Sequence, residues 1–309
     1  MITSKHMKTT SLKLCVLIGL LIAGARSHAQ KPSATPEETP QGLTEIESCQ
    51  GEVNSGGWVL KVDSAVGWDF NRHFGMFVGV PVYFSHLAST STTTGTTTTT
   101  TPGANNSGIG NAYLGFALRE PNPTLDYASA LTLGAPTGDT KKGLSTGRAT
   151  FDWDNRFEHG FNRFTPFFDG GLSNTVPDSR FLTRPFTSLG MVTHLEEGGG
   201  FELFPRVTVN GSAYEIVPFG TQKVFSKLVA KGQAAKGSGK NGRVFETAAE
   251  TIGSGLTREN GFIASVAFEP ARFWTIEAGY TRSVTFALDS FAFNVRMDVG
   301  KMLRQRKGL

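Results

Sequence analysis

Between Gly147 and His159 the chain sets charged side chains at every second position. Arg148, Asp152, Asp154, Arg156 and Glu158 share one side of an extended segment with Thr150, while Ala149, Phe151, Trp153, Phe157 and a lone Asn155 share the other. Successive side chains of a strand point to opposite faces, so this spacing gathers carboxylates and guanidinium groups on a single surface. Two roles suit such a surface. It can line a water-filled path in which fixed charge selects the solutes that pass, or its charges can pair across strands and fill a narrow interior.

Catalysis fits the residues less well. From His73 onward the histidines are His73, His86, His159 and His194, and only Ser85-His86 puts a serine beside a base. Neighbours on a strand face opposite ways, so those two cannot form a dyad. No Cys pair or His pair has metal-ligand spacing. Pro136-Thr137-Gly138-Asp139 is followed by no Gly-Lys-Ser and opens no helix, so it reads as a turn and not as a phosphate loop. The sequence therefore predicts a non-enzyme with no cofactor and no metal.

The elements that must carry the charged surface repeat the same alternation. Trp58, Leu60, Val62, Val66, Trp68 and Phe70 oppose Lys61, Asp63, Ala65, Gly67 and Asp69; Phe74, Met76, Val78, Val80, Val82 and Phe84 oppose Gly75, Phe77, Gly79, Pro81 and Tyr83. In 108–119, Asn111, Tyr113 and Gly115 oppose Ala112, Leu114, Phe116 and Leu118. Strands follow at 125–135, 147–159, 163–173, 186–195 and 201–214, the last with Glu202 and Arg206 on its polar face. Three more at 261–269, 273–281 and 290–302 close the chain, and Arg296 and Asp298 lie on the polar side of the final one. Tight turns at 71–72, 121–123, 160–162, 196–200 and 269–272 alternate with long polar connections at about 85–107, 136–147, 174–185 and 218–257.

The remaining segments bound the class. Lys5, Lys8 and Lys13 precede an apolar run from Leu14 to Ala25, and Ser27-His28-Ala29 offers a cleavage site, which predicts a secretory leader over 1–29. The run is too short for a spanning helix, which needs about 20 apolar residues. Of 30 basic residues four lie in this leader, leaving 26 against 26 acidic, so there is no electrostatic case for nucleic acid. Cys49 alone remains after cleavage, which excludes a disulfide framework. Residues 30–56 read as a flexible periplasmic lead-in, Thr90 to Thr101 as a solvated loop, and the Lys-rich stretch after Pro218 as a solvated outer loop with a short helix or strand near Val224.

Long alternating strands joined alternately by tight turns and long loops, after a leader and without a long apolar run, predict an all-β fold: an antiparallel transmembrane β-barrel of the Gram-negative outer membrane over 57–303, with a tail at 304–309. Parity then sets the strand count. If tight turns face the periplasm, an outward strand must precede Trp58, and Gly42 to Val53 is the only stretch that can supply it. Twelve strands are expected.

The succession Gly108-Ile109-Gly110-Asn111-Ala112-Tyr113-Leu114-Gly115, Leu131-Thr132-Leu133-Gly134-Ala135-Pro136-Thr137-Gly138-Asp139 and Lys142-Gly143-Leu144-Ser145-Thr146-Gly147 resembles the family of outer-membrane proteins of the meta-pathway of phenol degradation. Asn111 stands where that family has Asp, and Ala135 precedes the Pro. The resemblance implies passive passage of small, often aromatic or hydrophobic, molecules, with membrane lipid and the barrel assembly machinery as partners. The chain ends in Lys307-Gly308-Leu309, not in the terminal aromatic usual for substrates of that machinery. A structural or adhesive barrel with an occluded lumen is the competing expectation.

Overall fold

The computed structural model of the chain describes residues 42–94, 96–101, 103–228 and 250–307. The leader, residues 30–41 of the lead-in and most of the Lys-rich insertion lie outside them. In chain order the elements are β1 (Gly42–Asn54), β2 (Gly57–Asp69), β3 (Phe74–Leu87), β4 (Thr90–Thr94), β5 (Thr97–Thr101), β6 (Ala104–Ile109), β7 (Tyr113–Glu120), β8 (Asp126–Gly134) and β9 (Thr150–Glu158). They continue with β10 (Phe164–Ser173), β11 (Phe186–Leu189), β12 (Val192–Phe204), β13 (Val207–Pro218), β14 (Thr221–Ser226), β15 (Glu250–Ser254), β16 (Glu259–Ala271), β17 (Trp274–Ser283), β18 (Leu288–Asp298) and a helix α1 (Val299–Lys307).

Twelve of these strands form an antiparallel ring, β1-β2-β3-β7-β8-β9-β10-β12-β13-β16-β17-β18, which closes where β18 pairs with β1 from Ile46↔Asp298 to Asn54↔Ser290. Closure leaves the ring without an open sheet edge, the condition a bilayer imposes on backbone it surrounds. The strand that parity demands is β1. Its pattern is weak because its outward positions include Glu45, Glu47, Cys49 and Gly51, with the Ser64 hydroxyl donating to Glu47 Oε2 at 2.6 Å. A turn such as Asn71-Arg72 is tight because the Asn71 side chain accepts from the amides of His73 and Phe74 at 2.8 and 2.9 Å.

The distribution of polarity is the reverse of a soluble protein. Glu277, Glu259, Arg184 and Lys227 are buried, while Phe291, Phe168, Phe262 and Val66 are exposed on the outer wall. Trp58 and Trp68 stand on that wall toward the two ends of β2, where interfacial belts belong. The polar exception Asn155 faces outward too, but accepts from Tyr127 Oη at 2.8 Å and donates to the Gly170 carbonyl at 3.3 Å. Val62 lies midway between the two Trp rings. Val62→Arg should therefore destabilise the barrel by about 2–4 kcal/mol, read by urea unfolding in lipid vesicles, whereas Ala65→Ser on the lumenal side of the same strand should leave stability nearly unchanged.

Several boundaries depart from the sequence expectations. Residues 196–200 form no turn: β12 runs straight through them, and the hairpin turns at Pro205-Arg206, with Arg206 at φ +73°. The glycines there allow close approach, since a Cβ on Gly198 would meet the Gly211 carbonyl and one on Gly199 would meet the Phe164 ring. The expected strand at 186–195 is split, because β11 leaves the barrel to join β14 and β15 in a separate three-stranded sheet. The strand expected at 108–119 is broken at Gly110-Asn111-Ala112, with β6 and β7 pairing in turn with β3. The threonine tract is a hairpin, β4 on β5, as suits β-branched residues. The chain leaves the final strand at Asp298, whose carboxylate accepts the Lys301 amide at 2.7 Å and starts α1.

Candidate functional site in the barrel lumen

The polar faces converge inside the barrel and pair there. On β9, Arg156 donates to Asp169 Oδ2 at 2.6 Å and to Glu158 Oε2 at 2.8 Å while lying 4.1 Å from the centre of the Phe167 ring. Asp152 Oδ1 is 2.8 Å from His194 Nε2, and Asp154 Oδ1 is 3.7 Å from His194 Nδ1. Across the lumen Lys61 Nζ is 3.2 Å from Asp63, which also accepts from Tyr113 Oη at 2.9 Å. These contacts are of the kind that fill an interior.

Filling is incomplete, because the charged wall also encloses space. A cavity of about 550 Å³ is bounded by Asp152, Asp154, Arg156, Asp169, His194 and Glu202, with Phe167, Phe181 and Tyr214 beside them. A second, of about 660 Å³, is bounded by Asp63, Asp69, Arg119, Glu277, Asn294 and Arg296. A third of about 330 Å³ reaches Lys61, Asn111, Asp178 and Lys227.

What separates them is a segment that the sequence predicts to be an outer loop. The connection between β10 and β11, residues 174–185, turns into the lumen and is fastened there by three charged side chains. Asp178 accepts from Tyr83 Oη at 2.7 Å and lies 3.6 Å from Lys61 Nζ. Arg180 Nε donates to Glu277 Oε2 at 2.7 Å, and its Nη2 reaches Oε1 of the same carboxylate. Arg184 Nη1 donates to Glu259 Oε2 at 2.6 Å, and Tyr214 Oη donates to Glu259 Oε1 at 2.8 Å. Between the charges, Phe181 and Leu182 pack on Tyr214, Ile263 and Ala292 of the wall.

The wall positions that hold Asp178 and Arg180 lie on one row. Glu277 pairs with Asn294, Asn294 with Gln50, Gln50 with Lys61 and Lys61 with Tyr83. Arg180 docks at the acidic end of this row and Asp178 at the basic end, so charge fixes which way the segment lies.

Above it the mouth is capped by apolar side chains, with Leu144, Val176, Phe186, Val224, Leu228 and Leu288 in one cluster. The residue that joins cap to segment is Lys227. Its Nζ donates to the Arg184 carbonyl at 3.0 Å and lies 4.0 Å from the centre of the Tyr83 ring. Burial pulls its ammonium down to about 8, with Asp178 opposing the shift.

Three candidates stand apart from this site. Arg148 precedes β9 and is exposed, because that strand begins only at Thr150. Arg206 sits in the β12–β13 turn and donates to the Pro270 carbonyl at 3.1 Å, since the hairpin is displaced from the glycines to Pro205-Arg206. Asp298 caps α1. Asn111 borders the third cavity from the break between β6 and β7, its Oδ1 accepting from the Gly138 amide at 3.2 Å. Ser85 and His86 do point opposite ways: Ser85 donates inward to the Lys227 carbonyl at 2.8 Å, and His86 stacks outward on Trp58.

No protein-family model matches the sequence, and no curated protein does. Among solved structures, an outer membrane channel from Pseudomonas putida F1 aligns with a TM-score of 0.52 at 8% identity, over 88% of this chain and 100% of its own. The two share a barrel fold. At that identity the likeness extends to fold alone. The monoaromatic hydrocarbon channel CymD (TM-score 0.38, 5% identity, 84% of this chain and 88% of that one) and a FadL homologue of Pseudomonas aeruginosa (0.34, 9%, 78% and 68%) are looser matches, on which nothing further rests.

Proposed function

We propose that this protein is an outer-membrane channel for passive diffusion of small molecules, held closed by residues 174–185. The observation that carries the reading is the segment itself. It divides a charged lumen into cavities of about 550, 660 and 330 Å³ and is attached to the wall through side chains at Asp178, Arg180 and Arg184. A barrel built only as a scaffold could fill its core with wall side chains.

With the tight turns at the periplasmic end, as in bacterial barrels generally, the capped mouth faces outward, and β1 begins and β18 ends on the periplasmic side. Export by a cleaved leader and insertion by the barrel assembly machinery belong to the same reading. The resemblance to the meta-pathway family suggests small aromatic or hydrophobic permeants, and Phe167, Phe181 and Tyr214 give the chamber of about 550 Å³ an apolar surface such molecules could use.

Planar-bilayer recording tests it. Asp152→Ala should lower cation preference and Arg156→Ala raise it, seen as reversal-potential shifts of opposite sign under a salt gradient. Discrete block by added small aromatics would support the permeant class. The competing reading, a structural or adhesive barrel with a sealed lumen, draws on the apolar cap over the mouth. Silence from folded wild-type protein and from variants lacking the segment would favour it.

A further inference from the structure

We propose that Glu277, Asn294 and Gln50 form a lumenal site for small organic cations that carry N–H donors, and that Arg180 occupies this site as a tethered cation. Its effect on gating rests on the channel reading above; binding does not.

The three residues are consecutive on one row of the wall, from β17 through β18 to β1. Each points into the cavity of about 660 Å³. Three of their four side-chain oxygens have no hydrogen-bond partner among the described residues, although the two amides also carry N–H donors. The Glu277 side chain is fully excluded from solvent, and it accepts from Asn294 Nδ2 at 2.9 Å. Asn294 is 5% exposed, yet its Oδ1 is buried without a hydrogen-bond partner among the described residues, as is Oε1 of Gln50 beside it. Leaving a buried acceptor unmade costs the desolvation of that group, about 1–3 kcal/mol. A ligand bearing several donors would recover it.

Arg180 supplies only part of what the site can take. Its guanidinium donates through Nε to Glu277 Oε2, and Nη2 lies against Oε1, which has no hydrogen-bond partner among the described residues. It leaves the two amide oxygens unpaired. The Arg180 side chain is 53% exposed and borders the cavities of about 550 and 660 Å³ alike, so a solute in either chamber can reach the pair. Arg156 and Arg296 oppose a cation at this position, whereas Glu196 and Glu269 favour one. A tethered group competes at an effective concentration on the order of mM. Free guanidinium or primary amine must reach that range before it displaces Arg180, and displacement removes one of the three fastenings of segment 174–185.

The test is calorimetric titration of detergent-folded protein, with folding checked by heat-modifiable gel mobility. The probes are methylguanidinium and tetramethylammonium, equal in charge, of which only the first has N–H donors. Arg180→Ala should bind methylguanidinium at least about tenfold more tightly than wild type, a difference of ~1.4 kcal/mol. It should ignore tetramethylammonium. Adding Glu277→Gln to Arg180→Ala should abolish binding, and adding Gln50→Met, which keeps the charge, should weaken it severalfold. Absence of binding to Arg180→Ala, equal affinity for the two probes, or equal affinity with and without Glu277 would each overturn the site. Recording from wild-type protein with methylguanidinium separates the two proposals: binding in the calorimeter with no change in a silent bilayer would contradict the channel reading and leave the site intact.

Discussion

Asp178→Ala should release the inserted segment while leaving the barrel folded. Asp178 faces Tyr83, Lys61 and Lys227, and its carboxylate also accepts the Arg184 amide at 2.8 Å. Removing one partner of a buried ion pair costs about 3–5 kcal/mol, because the other charge is left uncompensated. Two features hold the cost to the lower end. Lys61 keeps Asp63 at 3.2 Å, and Lys227 can shed its proton, since burial has already brought it to about 8. A loss of ~3 kcal/mol raises the released population roughly a hundredfold.

Limited proteolysis of protein in vesicles reads that population directly, as cleavage between Arg180 and Arg184 against an unchanged heat-modifiable barrel. The pH dependence has a definite sign. Lys227 has a folded value of about 8, below its ordinary 10.5, so it is charged and needs Asp178 at pH 6 but is largely neutral at pH 9. The excess cleavage of Asp178→Ala over wild type should therefore be larger at pH 6 than at pH 9. Asp139→Ala, which removes an exposed carboxylate whose contact is the Lys141 amide at 2.8 Å, should change neither.

Arg184→Ala should have the larger effect on the barrel itself. Its guanidinium and the Glu259 carboxylate are both shielded from water, 5% and 4% exposed, and Glu259 stands near the outer end of β16. Truncating the arginine leaves Glu259 with Tyr214 Oη as its remaining partner, so about 3–5 kcal/mol is lost. The matched change Arg184→Met with Glu259→Leu removes both charges together and should restore most of that stability, since apolar replacements of buried pairs are often neutral or better. Urea unfolding in vesicles measures both. If the double variant is as unstable as the single, the pair is not what holds the segment at this end.

The wall of the barrel is legible in the sequence because its determinants are local. A period of two identifies each strand, and loop length gives its direction. Parity supplies β1 even though Glu45, Glu47 and Gly51 blur its outward face. Charges within strand interiors, such as Asp152, Asp154 and Arg156, inherit their lumenal direction from the same alternation.

What escaped reading depends on contacts made far along the chain. Asp178 meets Tyr83 95 residues away and Arg180 meets Glu277 97 residues away, so nothing beside 174–185 says that it turns inward. One signal was present. Phe181-Leu182 is an apolar pair within a largely polar loop, and such a pair requires a wall to pack on. The hairpin between β12 and β13 misled for a different reason: Gly198 to Gly200 look like a turn by composition, but they serve close packing within a strand. At the end of β18 alternation continues in the letters after Asp298, where the chain has already become a helix.

The most direct measurement is planar-bilayer recording from wild-type protein beside a variant in which Pro177 to Arg184 is replaced by a glycine-serine linker of equal length. The account predicts that wild type is shut for most of the record and that the variant conducts steadily, with a selectivity that Asp152→Ala and Arg156→Ala still shift in opposite directions. A folded linker variant as silent as wild type would contradict it, because the lumen would then be sealed by something other than the inserted segment.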